Sequence, residues 1–407
     1  MPETYDAIVL GLGAMGAAAT YQLAKRGAKV LGIDQYAPPH EFGSTHGDTR
    51  ITRIACGEGP EYSAFAARSH EIWRELEKET GLDLLTQNGF LAISGAGHRS
   101  ANHGVARFLD ATVAAAKAAK VSYELLDSAT LRQRFPALNI ADGDAAYHDT
   151  VSGFVRPERC VHAQLQTAAA RGAGLALNEK VVSFTQDGSS VTVKTNKETY
   201  RGSQLIVAAG AWLPGMLKPD LASRFMVTRQ VLYWFRARSE GAHALFSPER
   251  FPVYIWQLPA PQSIYGFPAT GGLEDGVKLA TEQYDVATTP EQVSRTVAPD
   301  EVREMYETYV EPFFPGLSPV CVRHKVCLYT WVDGARFIID RHPDFQRVII
   351  ASPCSGHGFK HSAGIGELLA EMVTAGRKPD PRFAFFAGSA PLRGAHALPD
   401  REPLARS

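Results

Sequence analysis

Residues 5–34 read YDAIVLGLGAMGAAATYQLAKRGAKVLGID, and this stretch decides the fold. YDAIVL is a short apolar run that ends in glycines. AAATYQLAKRG has helical character and stops at Gly27, and KVLGID is a second strand. Strand, turn, helix and strand in this order open a doubly wound sheet. The turn carries Gly11, Gly13 and Gly16 as G-L-G-A-M-G, and Asp34 ends the next strand 18 residues after Gly16. Each position has a physical task. Gly11 permits a tight turn, Gly13 lets backbone approach a pyrophosphate, and Gly16 lets helix pack on strand. The helix N-terminus, beginning at Ala14 and Met15, offers free N–H groups to phosphate. Asp34 is placed to accept from ribose hydroxyls.

Moving outward, APPHEFGSTHGDTR (37–50) fits neither structural period and reads as a long polar loop. Helices are expected in YSAFAARSHEIWRELEKETG, RFLDATVAAAKAAK, residues 162–171 and residues 301–310. LALNEKVVSFTQDGSSVTVKTN reads as a hairpin. QLIVAAGAW is a buried strand ending in small residues. From about 225 to 285 the pattern is mostly strands, among them MVTRQVLYWFRA, VYIWQL, SIYGFPA and GVKLAT. Near the C-terminus RVIIAS, a Gly/His loop and AGIGELLAEMVTAG return to the opening style. Nucleotide-fold signals thus sit at both ends, with an antiparallel-looking block between them. The domains are expected to be interleaved.

The 407 residues suffice for two domains, with 45% hydrophobic and 21% charged residues. Forty-two basic residues against 43 acidic ones leave a net charge of −1, which argues against nucleic acid or an anionic membrane as partner. No stretch approaches the roughly 20 apolar residues of a membrane span. The N-terminus has acidic residues before a short apolar run, which is not a signal peptide. Cys56, Cys160, Cys321, Cys327 and Cys354 are odd in number and irregularly spaced, so a reducing cytoplasm is the expected compartment. No CxxC unit exists for zinc or thiol exchange, and no metal site is expected.

The fingerprint alone does not separate FAD from NAD. Its place at the extreme N-terminus, with LIVAAGAW (205–212) and a second strand–loop–helix only near the end, favours FAD. Four stretches then coincide: GLGAMG with Asp34, GSTHGDTRITR (43–53), KVCLYT (325–330) and SGHGFKHSAGIGE (355–367). Together they resemble the monomeric sarcosine oxidase and N-methyltryptophan oxidase family of amine-oxidising flavoproteins, from about residue 4 to about 390.

The resemblance implies an α/β plus α+β fold, with a glutathione-reductase-like FAD domain interleaved with a substrate domain on a mixed, largely antiparallel sheet. The FAD domain is expected at 1–85, 150–222 and 322–390. The substrate domain is expected at 86–149 and 223–321, and a tail at 391–407. FAD would be covalent through Cys327; read without the family, that cysteine is core filling. The cofactor cradle would further include Gly43, Ser44, His46, Thr49, Arg50, Val181, Gly210, Trp212, Gly356, Gly358, Phe359 and Lys360, with Thr330 as a hydrogen-bonding candidate.

Arg53 and Lys360 match the family's carboxylate-binding pair, and burying a substrate carboxylate requires such cations. Arg50 and His46 would adjoin the flavin ring, and Tyr265 would lie over it. Lys278 matches the lysine that activates oxygen. His357 reads equally as a structural residue. One position departs from the family: a histidine facing the substrate is replaced by Glu282. The activity implied is oxidation of a secondary amine in an N-methyl or N-alkyl amino acid, with O2 reduced to H2O2. Alternatives are a flavin dehydrogenase with another acceptor, or an oxidase of a cyclic or larger amino acid. A monomer is expected.

Overall fold

The computed structural model describes residues 4–95, 102–103, 105–259 and 262–387. The expected tail at 391–407 lies outside them. Two eight-stranded sheets dominate. In the first, Thr4–Leu10 is central and pairs in parallel with Val30–Ile33 on one side and Thr199–Val207 on the other. Gly174–Ala176 continues the sheet in parallel beyond Val30–Ile33, and Val348–Ser352 does so beyond Thr199–Val207. The antiparallel pair Val181–Asp187 and Ser190–Thr195 also joins Thr199–Val207, and Ile338–Arg341 pairs with Val348–Ser352.

Both faces of this sheet are buried, so its strands are apolar at successive positions. Ala7 and Val9 point into one core with Tyr21, Trp73 and Ile365, whereas Ile8 and Leu10 point into another with Val191, Leu213 and Ile350. The helix Ala14–Lys25 packs against Ser362–Thr374, and a Cβ on Gly366 would stand 2.4 Å from the Ala18 Cβ. The expected helix at 162–171 starts earlier, at Pro157, because proline suits the first helical turn and extends the element to Pro157–Ala170. The expected hairpin is split: its first part, Gly174–Ala176, leaves to pair with Val30–Ile33.

The second sheet has the spatial order Leu317–Val332, Phe225–Ala237, Val277–Thr281, Ile264–Gly266, Val253–Trp256, Phe90–Ser94, Ala145–Asp149, Glu124–Asp127. All its pairings are antiparallel except that of Val253–Trp256 with Phe90–Ser94. The mixed, largely antiparallel fold class therefore holds. The limit placed at 322 does not follow the strand pairing: it falls inside Leu317–Val332. That strand stays with Phe225–Ala237 from Ala237↔Leu317 to Phe225↔Val332, because Cys321 and Arg323 on either side of the limit pair with Phe235 and Trp234, with a register shift between them. The limit at 85 likewise cuts Leu85–Thr86, which joins Gly153–Val155 and Arg50–Thr52 in a small third sheet. No helix among the described residues is long and apolar enough to cross a membrane.

Candidate active site

The long polar loop folds back on itself through Gly47 and Asp48, whose φ values are 98° and 68°. This turn aims the Gly47 and Asp48 N–H groups at one carboxylate oxygen of Glu158, at 2.5 and 3.2 Å. The carbonyls of Gly47 and Thr49 face the other way and accept from the Lys278 ammonium at 2.6 and 2.7 Å. Thr49 Oγ1 accepts from it as well, at 3.2 Å. Arg50 is held by its own loop, donating to the carbonyls of Thr49 and Ser44 at 2.8 and 2.9 Å.

A cavity of about 820 Å³ runs along the C-terminal ends of the parallel strands. Such crevices are where open α/β sheets bind ligands. Gly11, Gly13, Ala14, Met15, Asp34, Gly43, Ser44 and Arg50 line it on one side. Val181, Gly210, Trp212, Gly356, Gly358 and Phe359 line it further along, whereas Lys360, also expected at the cofactor, lines only the second cavity described below. Gly16 does not line the cavity. A Cβ there would meet the Gly11 carbonyl oxygen at 1.7 Å, so its task is packing the helix onto the turn. Asp34 accepts from the Leu12 and Tyr36 N–H groups at 2.7 and 2.8 Å. Burial nevertheless raises its carboxyl pKa.

The cavity fits a dinucleotide of FAD size. A Cβ on Gly13 would find nothing closer than Thr45 Oγ1 at 3.5 Å, so that position is kept open by need rather than by protein contacts. Both ring nitrogens of His46 and the hydroxyl of Thr330 are buried without a partner among the described residues. Burial, reinforced by Arg50, lowers the His46 pKa to about 3 and keeps the ring neutral. Cys327, His46, Thr49 and Lys278 lie behind the lining rather than in it. Burial raises the Cys327 thiol pKa, with Arg50 and Lys278 opposing. The same burial brings the Lys278 ammonium well below its ordinary pKa.

A second cavity of about 60 Å³ shares Arg50, Tyr329, Gly356 and Phe359 with the first. Arg53, Lys360, Tyr265 and Glu282 all line it, so the structure brings together the residues expected to meet substrate. Arg53 is 1% exposed, with its guanidinium centre 5.0 Å from the Phe108 ring and 5.4 Å from that of Phe90. Its Nε is buried with no partner among the described residues. His357, which also lines this cavity, bonds the Ala335 carbonyl at 2.7 Å and stacks on Phe337.

Two residues escaped the sequence reading. Glu58 Oε1 lies 2.5 Å from Arg53 Nη2 and 3.3 Å from Lys360 Nζ. Burial alone would raise its carboxyl pKa, but Arg53 and Lys360 outweigh that and hold it well below the ordinary range. His103 stands between two carboxylates, with Nδ1 2.9 Å from Glu58 and Nε2 2.6 Å from Glu282. Burial opposes its charge, yet Glu282 and Glu58 raise its pKa. Glu58, flanked by Gly57 and Gly59, reads as a plain turn. His103 sits in an aperiodic segment, so neither carried a signal except Glu58's closeness to Arg53.

A nucleotide crevice joined to a small cation-lined pocket is the arrangement expected of a dinucleotide-dependent oxidoreductase. The FAD dependent oxidoreductase family model matches residues 6–372, and the chain belongs to that family. It is 36% identical over 384 residues to a monomeric sarcosine oxidase of Streptomyces avermitilis, covering 94% of this chain and 96% of that protein. It is 30% identical over 372 residues to an N-methyl-L-tryptophan oxidase of Salmonella dublin, covering 91% and 94%. In structure it resembles NikD, described as an unusual amino acid oxidase, with TM-score 0.79, 22% identity and coverage of 94% and 97%. It also resembles an L-proline dehydrogenase from P. horikoshii, with TM-score 0.77, 20% identity and coverage of 95% and 98%. These two structural likenesses speak for the fold.

Proposed function

We propose that the protein oxidises the secondary amine of an N-methyl or N-alkyl amino acid. The observation that carries this reading is the convergence of Arg53 and Lys360 on one wall of the small cavity, with Arg53 Nε still free to donate. Two buried cations at one point suit a substrate carboxylate. That the pair already holds the Glu58 carboxylate supports its competence as an anion site. Relatives named as oxidases of sarcosine and N-methyltryptophan support the substrate class.

Gly11, Gly13, Asp34, Val181, Gly210, Trp212, Gly356 and Gly358 would hold FAD, with Cys327 as its covalent tether. The discontinuous first-sheet unit would be the FAD domain, and the second sheet would carry the substrate. When bound, FAD would supply the two-electron oxidation, in which two electrons and two protons from the C–H and N–H of the amine pass to O2 as H2O2 and leave an imine that water hydrolyses. The chain's own part is to bind and orient. Arg53 and Lys360 fix the carboxylate, and Tyr265 walls the pocket. Arg50 and, behind it, Lys278 supply positive charge where negative charge develops on oxygen reduction. The five cysteines are free, which supports a reducing cytoplasm, and the enzyme would act as a monomer.

The test is a panel of N-methyl and cyclic amino acids, read by H2O2 release in air and by flavin bleaching without air. N-methyl amino acids should bleach the flavin and release H2O2. Because the amine must be neutral, kcat/KM should rise with pH through neutral to alkaline conditions. No bleaching by any of them would reject the reading. Bleaching without H2O2 would shift it to a dehydrogenase.

A further inference from the structure

Glu282 is a carboxylate only 5% exposed, in a cavity that also holds the carboxylate-binding cations. Its Oε2 accepts from Asn102 Nδ2 at 3.3 Å and from the Tyr284 hydroxyl. Its Oε1 faces His103 Nε2 at 2.6 Å. His103 has a carboxylate within 3 Å of each ring nitrogen, a setting that favours the imidazolium. It is held there with backbone φ of 47°, a left-handed conformation costly for a side-chain-bearing residue.

The cavity left beside it, about 60 Å³, has room for roughly two waters. An amino acid seated on Arg53 and Lys360 therefore reaches Glu282 only by taking space from a neighbour. Among the described residues, His103 is the neighbour whose departure leaves a matching vacancy, a cation's place on Glu282 Oε1. Charge permits the exchange: a substrate ammonium replaces a cationic ring, and the Glu282 carboxylate is never left unpaired. Ile255 and Phe267, which line the same cavity, suit the methylenes between the two charged ends.

We propose that Glu282 is a specificity site for the far end of the substrate, which is an N-alkyl amino acid whose side chain ends in an ammonium or similar cationic donor, and that His103 occupies this site until substrate displaces it. The proposal rests on the reading of Arg53 and Lys360 as the carboxylate site. A carboxylate-ended side chain is the disfavoured class, because it would bring a third anion beside Glu58 and Glu282.

Two measurements test it on the flavin-loaded protein. The first compares kcat/KM for Nα-methyl-lysine, Nα-methyl-norleucine and Nα-methyl-glutamate. The lysine derivative should exceed the norleucine one by about tenfold or more, the size of a charge-assisted hydrogen bond. Glu282→Gln should shrink that ratio towards one. Equal rates for the lysine and norleucine derivatives in the unaltered protein would overturn the proposal, as would a ratio unchanged by Glu282→Gln. The second does not need turnover: binding of 5-aminopentanoate and of pentanoate, read by the flavin absorption band. The amino compound should bind about tenfold or more tightly, and equal binding would overturn the proposal. If N-methyl substrates fail to bleach the flavin while 5-aminopentanoate keeps its advantage, the amine-oxidation reading falls and the Glu282 site stands.

Discussion

The sulfur of Cys327 is 1% exposed in the strand Leu317–Val332, opposite Gln230 and packed with Leu232, Trp234 and Ala280. That packing is what a core cysteine shows. Its company is the ground for the proposed tether: Arg50 and Lys278 bring positive charge that opposes the burial keeping the thiol protonated. Cys327→Ser should leave flavin that is released on acid precipitation, whereas flavin from the unaltered protein stays with the pellet. Release from both would reject the tether. Lys278 is 3% exposed in an interior strand, and its ammonium holds the turn that carries Thr49 and Arg50. Lys278→Met should slow reoxidation by O2 at least about tenfold more than reduction by substrate, measured by stopped flow. Equal slowing of both steps would mean that the lysine only supports the turn.

At the scale of elements, the nucleotide crevice depends on one helix lying close to its strand and a second helix lying close to the first. Gly16 serves the first contact and Gly366 the second, where any Cβ would come within 2.4 to 2.8 Å of Ala18 atoms. Two of those atoms are backbone, so the partner helix cannot yield by a rotamer change. Gly366→Ala should cost roughly 1–3 kcal/mol in urea unfolding, the usual price of overpacking. Gly241→Ala, in the exposed helix Glu240–Ala244, should be neutral or slightly stabilising. Similar values for both variants would show that the helix pair can spread. The GxGxxG stretch made the first contact legible, because its spacing is a local signal. The second was hidden, because Gly366 looks like any glycine in AGIGELLAEM until the opposite helix is known.

For the molecule as a whole, buried neutral histidines tie stability to pH. His70 is 7% exposed, with Nε2 2.7 Å from Thr52 Oγ1, and burial, with Arg74 adding to it, lowers its pKa to about 4. In the unfolded chain it titrates near 6.5. Between these values the unfolded state binds the proton and the folded state does not, so stability falls as pH drops from about 6.5 to about 4. His46 acts in the same direction. Urea unfolding at pH 7.5 and pH 5 should show the unaltered protein losing about 2 kcal/mol more than His70→Gln over this interval. The same loss in both would remove His70 as a source of acid sensitivity.

The first 34 residues by themselves determined a parallel sheet and a nucleotide crevice, because hydrophobic period, glycine spacing and a strand-ending aspartate act over a few residues. Most of the site residues named from the motif stretches line one of the two cavities. Tertiary structure alone decided three further things. It kept Leu317–Val332 whole within the second sheet, because ladder pairing runs along the strand regardless of where composition changes. It withdrew Lys278 and Cys327 behind the cavity lining. It also closed the ion network of Arg53, Glu58, His103 and Glu282, residues up to 229 positions apart. Electrostatic partners are chosen by distance in space and by the exclusion of water, and neither quantity is written in the order of residues.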